Sequence, residues 1–301
     1  MSYLAIIGVG RGGIHPVNKM YGKRKNDEDV SYLVCDTDVV ILMKSRVKNK
    51  ILMNCTPEGK RFLSDETKKD FKCKIAGFKI VFFVAGMGGI AGRDVLPELI
   101  EYCHELGIKV SCFVTSPFTF EGDVKSKIAI ESILKIRQCA DSVVVINNDL
   151  IQETDSDFNL ANAFKKSHLI TAEKCRELYL ILNEPQYVAL DLNDYYSFMI
   201  NSAVTIIASG YSTGEKRVLF AFEEAIKSPL LKPYKIGDMD KIICFYECSQ
   251  HHQMTMDEVE YIHEIMKSKI KEGSDFCWLA NFNEELNEEV KVTLIASITN
   301  K

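Results

Sequence analysis

The sequence predicts a two-domain α/β protein: a Rossmann-like parallel-sheet domain over residues 1–155, a long helix over 156–182, and a second, α+β domain over 183–301. Three observations predict it. Short unbroken apolar runs, Ile80–Val84 the clearest, alternate with helical stretches, as expected for strands covered on both faces of a parallel sheet. Two of these runs break into glycine clusters that open onto helices, at Gly8–Gly13 and at Gly86–Gly92. Beyond residue 183 strand-like runs and helices continue without glycine loops, which marks a domain of different texture.

The elements follow in order. Leu4–Ile7 is the first strand, and Gly8-Val9-Gly10-Arg11-Gly12-Gly13 leads into a helix through Met20. A polar connection over 23–29 reaches the strand Val30–Cys35, which ends in Asp36-Thr37-Asp38 and completes a βαβ unit. Residues 44–78 are polar and lysine-rich, with a turn at Thr56-Pro57-Glu58-Gly59 and a helix to about Phe71. The stretch Lys79–Pro97 then gives the buried strand, four glycines (Gly86, Gly88, Gly89 and Gly92) and the helix Val95–Leu106. Glycines let backbone N–H groups approach a ligand, and a helix N-terminus favours anions, phosphate above all. Each exposed charge gains only about 0.3–1 kcal/mol at such a terminus, so binding must rest on many convergent N–H groups and a second loop is needed. The first glycine cluster supplies it. Lys109–Val114 is the next strand, ending in Thr115-Ser116-Pro117-Phe118-Thr119-Phe120-Glu121-Gly122 before a helix through Ile136, and Ser142–Ile146 ends in Asn147-Asn148-Asp149. Polar residues thus gather at the strand ends that form the ligand crevice of an open parallel sheet.

The long helix places Ala161, Phe164, His168, Ala172, Cys175 and Leu178 at helical spacing. Asp191 and Asp194, three apart, flank the start of a short helix from Tyr195 to about Ile200, where they also suit an N-cap and a first-turn acid. The second domain reads as strands Ser202–Ser209, Lys241–Tyr246 and Val290–Ala296 around helices Glu215–Lys227 and Met256–Lys271.

Composition narrows the function classes. A net charge of -5 with 47% hydrophobic and 26% charged residues gives no basic signature for nucleic acid. No apolar run approaches the roughly 18 residues that span a bilayer, and the N-terminus enters a strand directly, which points to a cytoplasmic protein without membrane insertion. The ten cysteines are scattered singly, several in apolar runs, and read as buried thiols. Cys244-x3-Cys248-x2-His251-His252 has zinc-binding residue types, but its first cysteine lies in an apolar strand and the spacing is uncommon, so no metal site is assigned there. Gly8-x-Gly10-x-x-Gly13 with Asp36 also satisfies the dinucleotide fingerprint, in which the acid binds a ribose hydroxyl, and an NAD-dependent oxidoreductase stays open on those residues.

Taken together, Gly8–Gly13 with Val17-Asn18-Lys19-Met20, Thr37-Asp38, Ala85-Gly86-Met87-Gly88-Gly89, Pro117–Gly122, Asn148-Asp149, Ala163-Phe164 and Asp191/Asp194 resemble FtsZ in content and order. Ser228-Pro229-Leu230-Leu231 and the closing run Glu289–Ala296 extend the resemblance to the FtsZ/tubulin superfamily over nearly the whole chain. It implies the tubulin/FtsZ fold, binding of GTP or GDP with Mg2+ accompanying the nucleotide, and head-to-tail assembly into filaments. The partners it implies are further copies of the chain and other FtsZ-family proteins. Gly10, Arg11, Gly12 and Gly13, with Gly86, Met87, Gly88, Gly89, Ile90, Ala91 and Gly92, are the implied phosphate residues. Glu121, with Lys125 nearby, is implied at the ribose; Asn18, Asn148, Phe164 and His168 around the base; and Thr115 and Pro117 among the nucleotide-binding residues. Asp191 and Asp194 match the acidic loop that one subunit inserts against the next subunit's nucleotide to activate water.

The departures from the family pattern are as informative. Where the family continues Gly-Thr-Gly-Thr-Gly, this sequence has Ile90-Ala91-Gly92-Arg93-Asp94. Ala91 donates no hydroxyl hydrogen bond, a loss on the order of 1–3 kcal/mol at a charged oxygen, for which Arg11 or Arg93 can compensate. His168 stands where an acid or amide usually faces guanine, and the γ-phosphate loop shortens to about Asn54–Gly59. Slow hydrolysis is expected, and the alternative is a structural homologue that does not hydrolyse. The family's linker and terminal peptide have no counterpart in the sequence, so the usual membrane tethering is not expected.

Overall fold

The computed structural model describes residues 3–22, 30–54, 63–152, 159–183, 187–188, 198 and 202–299. The chain divides into two compact units at Tyr179/Leu180. In the first, the described strands are β1 (Leu4–Val9), β2 (Val30–Asp36), β3 (Asn49–Leu52), β4 (Ile80–Gly86), β5 (Lys109–Ser116) and β6 (Ser142–Asn147). They pair in the order β3-β2-β1-β4-β5-β6, all parallel. The helices are α1 (Gly10–Met20), α2 (Val39–Lys44), α3 (Asp65–Ile75), α4 (Leu96–Glu105), α5 (Asp123–Cys139), α6 (Asn148–Gln152) and α7 (Leu160–Asn183).

The alternation of a strand's side chains explains why its runs are apolar throughout. Ala5, Ile7 and Val9 of β1, with Val81, Phe83 and Ala85 of β4, face a core closed by Phe71 and Ile75 of α3, by Leu99, Ile100 and Cys103 of α4, and by Ile133 and Ile136 of α5. Leu4 and Ile6, which alternate with them, are as fully buried, so both faces are covered. The order places β1 between β2 and β4. Connections leave toward opposite faces at such a switch point and open a crevice at the strand ends. Register sets Val9 beside Ala85, so the two glycine clusters emerge side by side.

The second unit pairs β7 (Ser202–Ser212), β10 (Val290–Thr299), β8 (Lys241–Cys248) and β9 (Asp275–Phe282) in that order, antiparallel except for the parallel pair β8/β9. Its helices are α8 (Arg217–Ile226) and α9 (Met256–Lys269). A parallel pair needs a crossover, and α9 provides it. Thr255 caps α9 by accepting from Glu258 N–H, and Glu258 accepts from Thr255 N–H in return. Phe222, Tyr246, Ile262 and Leu294 lie in the core of this unit.

Several elements differ from the sequence reading. The first glycine cluster is no separate loop, since α1 begins at Gly10 and takes Gly10–Gly13 as its first turn. The helix expected from Val95 is preceded by a π-helical turn over Ala91–Val95. α2, β3 and β9 have no counterpart in that reading. The polar connection 23–29, the turn 56–59 and the start of the long helix at 156–158 fall outside the described residues, as does the helix expected from Tyr195 apart from Phe198.

Candidate functional site

The strand ends of the first unit surround a cleft of about 710 Å³. At one end lie the glycines. Gly10 has φ +68°, and a Cβ there would come within 2.5 Å of Ala91 Cβ. A Cβ on Gly12 would lie 2.8 Å from Gly86 Cα, so the turn that opens α1 and the end of β4 touch backbone to backbone. The first four N–H groups of a helix have no partner within it, and those of α1 open at the cleft, lined by Gly10, Arg11 and Gly12. Arg11 is exposed and lines this end. Arg93 does not line it, because its guanidinium pairs with Asp94 at 2.8 Å. The arrangement suits a multiply charged anion.

Asp36 lies on the same side, at the end of β2. Its Oδ1 accepts from Asp38 N–H at 2.9 Å, while its Oδ2 is buried without a hydrogen-bond partner. Burial pushes the Asp36 carboxyl above its ordinary value, against backbone hydrogen bonds and Arg11, which act to lower it.

The opposite end is aromatic. Phe118 stacks on Phe120 at 4.9 Å, and Phe164 of α7 meets both edge-on, at 5.3 and 6.2 Å. One helical turn on, His168 stacks with His15 of α1, ring centroids 4.9 Å apart and planes 23° apart. Burial lowers His168 to about 4, with His15 and Lys19 adding to the effect. His15 is lowered in the same sense by burial, Arg11 and Lys19. Both rings are therefore neutral at pH 7. Asn148 is buried, and its Oδ1 accepts from Ser167 Oγ at 2.6 Å.

Between the two ends runs the Pro117–Gly122 segment. Asp149 fixes it by accepting from Thr119 N–H at 2.9 Å and Thr119 Oγ1 at 2.7 Å. Glu121 Oε1 accepts from Phe118 N–H at 2.8 Å, and its Oε2 pairs with Lys125. Thr115 and Pro117 line the cleft beside them.

Of the residues expected here, Gly10, Arg11, Gly12, Gly86, Met87, Gly89, Ile90 and Ala91 lie on the glycine side of the lining. Thr115, Pro117, Glu121, Lys125, Asn148, Phe164 and His168 complete the cleft. Four do not line it. Gly13 packs on β4, where a Cβ would fall 1.8 Å from Val84 O. Gly92 abuts Met87, and Gly88, at φ +90°, is backed by Lys125. Asn18 turns away, since its Oδ1 accepts from Ser45 Oγ and Arg46 N–H, both at 2.8 Å. His15, which the sequence reading did not name, lines the aromatic end beside His168. Its signal was present, because Arg11, His15 and Lys19 recur every four residues on the exposed face of α1. Asp191 and Asp194 lie outside the described residues.

Comparison with known proteins places this geometry. The model of the Tubulin/FtsZ family GTPase domain matches residues 4–155, and that of the FtsZ family C-terminal domain matches residues 203–299. The cell division protein FtsZ of Porphyromonas gingivalis is 30% identical over 98% of this chain and 66% of its own length. The mitochondrial division protein fszA of Dictyostelium discoideum is 26% identical over 98% of this chain and 58% of its own. Thus the chain spans about two thirds or less of the length of these two curated relatives. An empty FtsZ dimer from M. jannaschii superposes with a TM-score of 0.85 at 24% identity, covering 99% of this chain and 88% of that one. CetZ2 from Haloferax volcanii gives a TM-score of 0.78 at 13% identity, covering 100% and 94%. At those identities the two structures speak for the fold.

Proposed function

From the premise that the chain belongs to the Tubulin/FtsZ family of GTP-binding cytoskeletal proteins, we propose that it binds GTP in this cleft and assembles head to tail in the cytoplasm. Hydrolysis then takes place slowly where one copy meets the next. The observation that carries the reading is the pairing of two glycine clusters at one end of the cleft with an aromatic and amide end opposite. A nucleoside triphosphate needs that division of labour.

In this reading the phosphates meet the free N–H groups of the first turn of α1 and the Arg11 guanidinium. Glu121, held in place by Lys125 and Phe118 N–H, accepts from the ribose. Phe164 packs against the base, and Asn148, its carbonyl oxygen taken by Ser167, offers its amide N–H groups. The residues present fit a hydrated Mg2+: the orphaned Oδ2 of Asp36 is a hard oxygen donor of the kind the ion takes, and the ion would supply charge neutralisation to the triphosphate. Asp191 and Asp194 of a second copy bring a carboxylate pair to the nucleotide and orient the attacking water. Stacking one surface on a different one yields an open filament unless the rotation closes a ring. Other FtsZ-family proteins are the natural co-assembling partners.

A second reading, nucleotide-dependent assembly without turnover, is favoured by one feature. Apolar Ile90 and Ala91 line the phosphate end, and Ile90 is 53% exposed. Sedimentation tests the first reading against a failure of both. The chain is expected to pellet with GTP and to stay in the supernatant with GDP, and pelleting indifferent to nucleotide would reject assembly driven by nucleotide.

A further inference from the structure

The aromatic end of the cleft holds a pair of stacked neutral histidines, and the carboxylates that line the cleft are either engaged elsewhere or, like Asp36, set at the glycine end. Glu121 is held by Lys125 and Phe118 N–H. Asp38 caps α2 by accepting from Val40 N–H at 2.8 Å, and Asp36 lies at the β2 end beside Arg11. His15 and His168 are therefore the groups placed to meet the hydrogen-bonding edge of a base resting on Phe164.

The chemistry of that edge decides what they can read. Guanine presents the N1–H and N2–H donors beside the O6 acceptor, while adenine presents the N6–H donor beside the N1 acceptor. A carboxylate only accepts. It suits the paired donors of guanine and sets negative charge against the N1 lone pair of adenine. Neutral imidazole carries one donor and one acceptor and exchanges them by changing tautomer. It accepts from guanine N1–H in one form, and in either form it satisfies one group of adenine. Sites reject an analogue by factors of about 10⁴ to 10⁵ when a buried group of fixed polarity is left unpaired, and a tautomerising pair removes that penalty. Asn148 does not restore selectivity, since its remaining amide N–H groups can donate to N7, which both purines share.

We propose that His15 and His168 form a purine reader of relaxed selectivity, so that this cleft takes ATP and ITP as well as GTP. The inference rests on the reading of the cleft as a nucleoside triphosphate site. The half-buried setting of His168, the partial desolvation of His15 beside it, and the cations Arg11 and Lys19 keep the pair neutral and so able to accept.

The test is competition at pH 7 between a fluorescent GDP analogue and unlabelled GTP, ITP or ATP, using the full chain and the variants His168→Asp and His15→Asp. Wild type is expected to bind the three within about tenfold of one another, the worth of one neutral hydrogen bond. Each aspartate is expected to widen the GTP-to-ATP ratio by about tenfold or more through weaker ATP binding. That gain of selectivity would not arise if the histidines were merely packed. His15 is exposed on α1, so its variant answers even if the substitution on α7 prevents folding. A wild-type preference for GTP above about 1,000-fold, or a ratio unmoved in the folded variants, would overturn the purine reader while leaving the triphosphate site standing. No binding of the analogue or of any triphosphate would overturn the site itself.

Discussion

Gly13 has no space for a single methyl group: a Cβ would lie 1.8 Å from the Val84 carbonyl oxygen and 2.8 Å from its carbon. Both are backbone atoms of the central strand β4, so relief requires α1 to move off the sheet. Gly13→Ala is expected to lower the unfolding free energy by on the order of 2–4 kcal/mol in urea titration. A change under about 0.5 kcal/mol would show that α1 yields freely. Gly13 thus brings helix and sheet together, while Gly10 and Gly12 line the cleft and Gly12 also abuts Gly86. A run of glycines could not reveal that split, because close approach to a ligand and close approach to another strand call for the same missing side chain. Phe164 and His168 were legible through their order among other motifs. His15 left a signal in the four-residue spacing of Arg11, His15 and Lys19 but was passed over, since the resemblance drew attention to Asn18, three residues on, whose Oδ1 accepts from Ser45 Oγ and Arg46 N–H.

Elements were legible in proportion to how completely they are buried. β1 and β4 are apolar throughout and β5 nearly so at its centre, with Ser111 among Val110, Cys112, Phe113 and Val114, and these buried runs gave them away. Among the described residues β3 pairs only with β2, and one of its four residues, Ile51, is buried. Likewise β9, which pairs with β8, has Leu279 alone fully buried. Edge strands lack the run that marks a central one. The π-helical turn at Ala91–Val95 was beyond reach for another reason: it depends on Gly86 and Met87 packing against Gly92, a contact from outside the segment. Elements are also tied together by single groups. Asp141, just before β6, accepts from Lys109 Nζ and Val110 N–H of β5, both at 2.9 Å, and meets His104 Nε2 of α4 at 3.0 Å. Burial alone would raise its carboxyl, but these hydrogen bonds outweigh it and hold the group at about 2. A carboxyl depressed in the folded state stabilises above its unfolded value of about 4, and that stability drains away as pH falls toward 2. Discounted for the half-exposed His104 and Lys109 partners, the contribution is about 1–2 kcal/mol. Asp141→Asn is expected to lose that amount at pH 7 and little at pH 2, measured by urea unfolding across pH. An equal loss at both values would show that shape, not charge, joins these elements.

For the whole molecule, the matched family domains occupy residues 4–155 and 203–299, and the acidic pair Asp191 and Asp194 falls in the interval between them. Under the proposed function a single copy holds a nucleotide cleft whose water-activating carboxylates come from its neighbour, and turnover is then a property of the filament. The collinear motifs made the family and its fold legible from the sequence. The pace of the proposed hydrolysis was not, because residue types alone do not say how a cleft lined by Ile90 and Ala91 would seat a terminal phosphate. The measurement that tests this most directly is the rate of phosphate release from GTP per subunit over a series of protein concentrations, for the wild-type chain and for Asp191→Ala. A per-subunit rate that rises with concentration to a plateau, and falls by about 100-fold or more in the variant as expected for loss of a water-positioning group, is the predicted result. A rate per subunit independent of concentration and untouched by the substitution would contradict catalysis at the junction between copies.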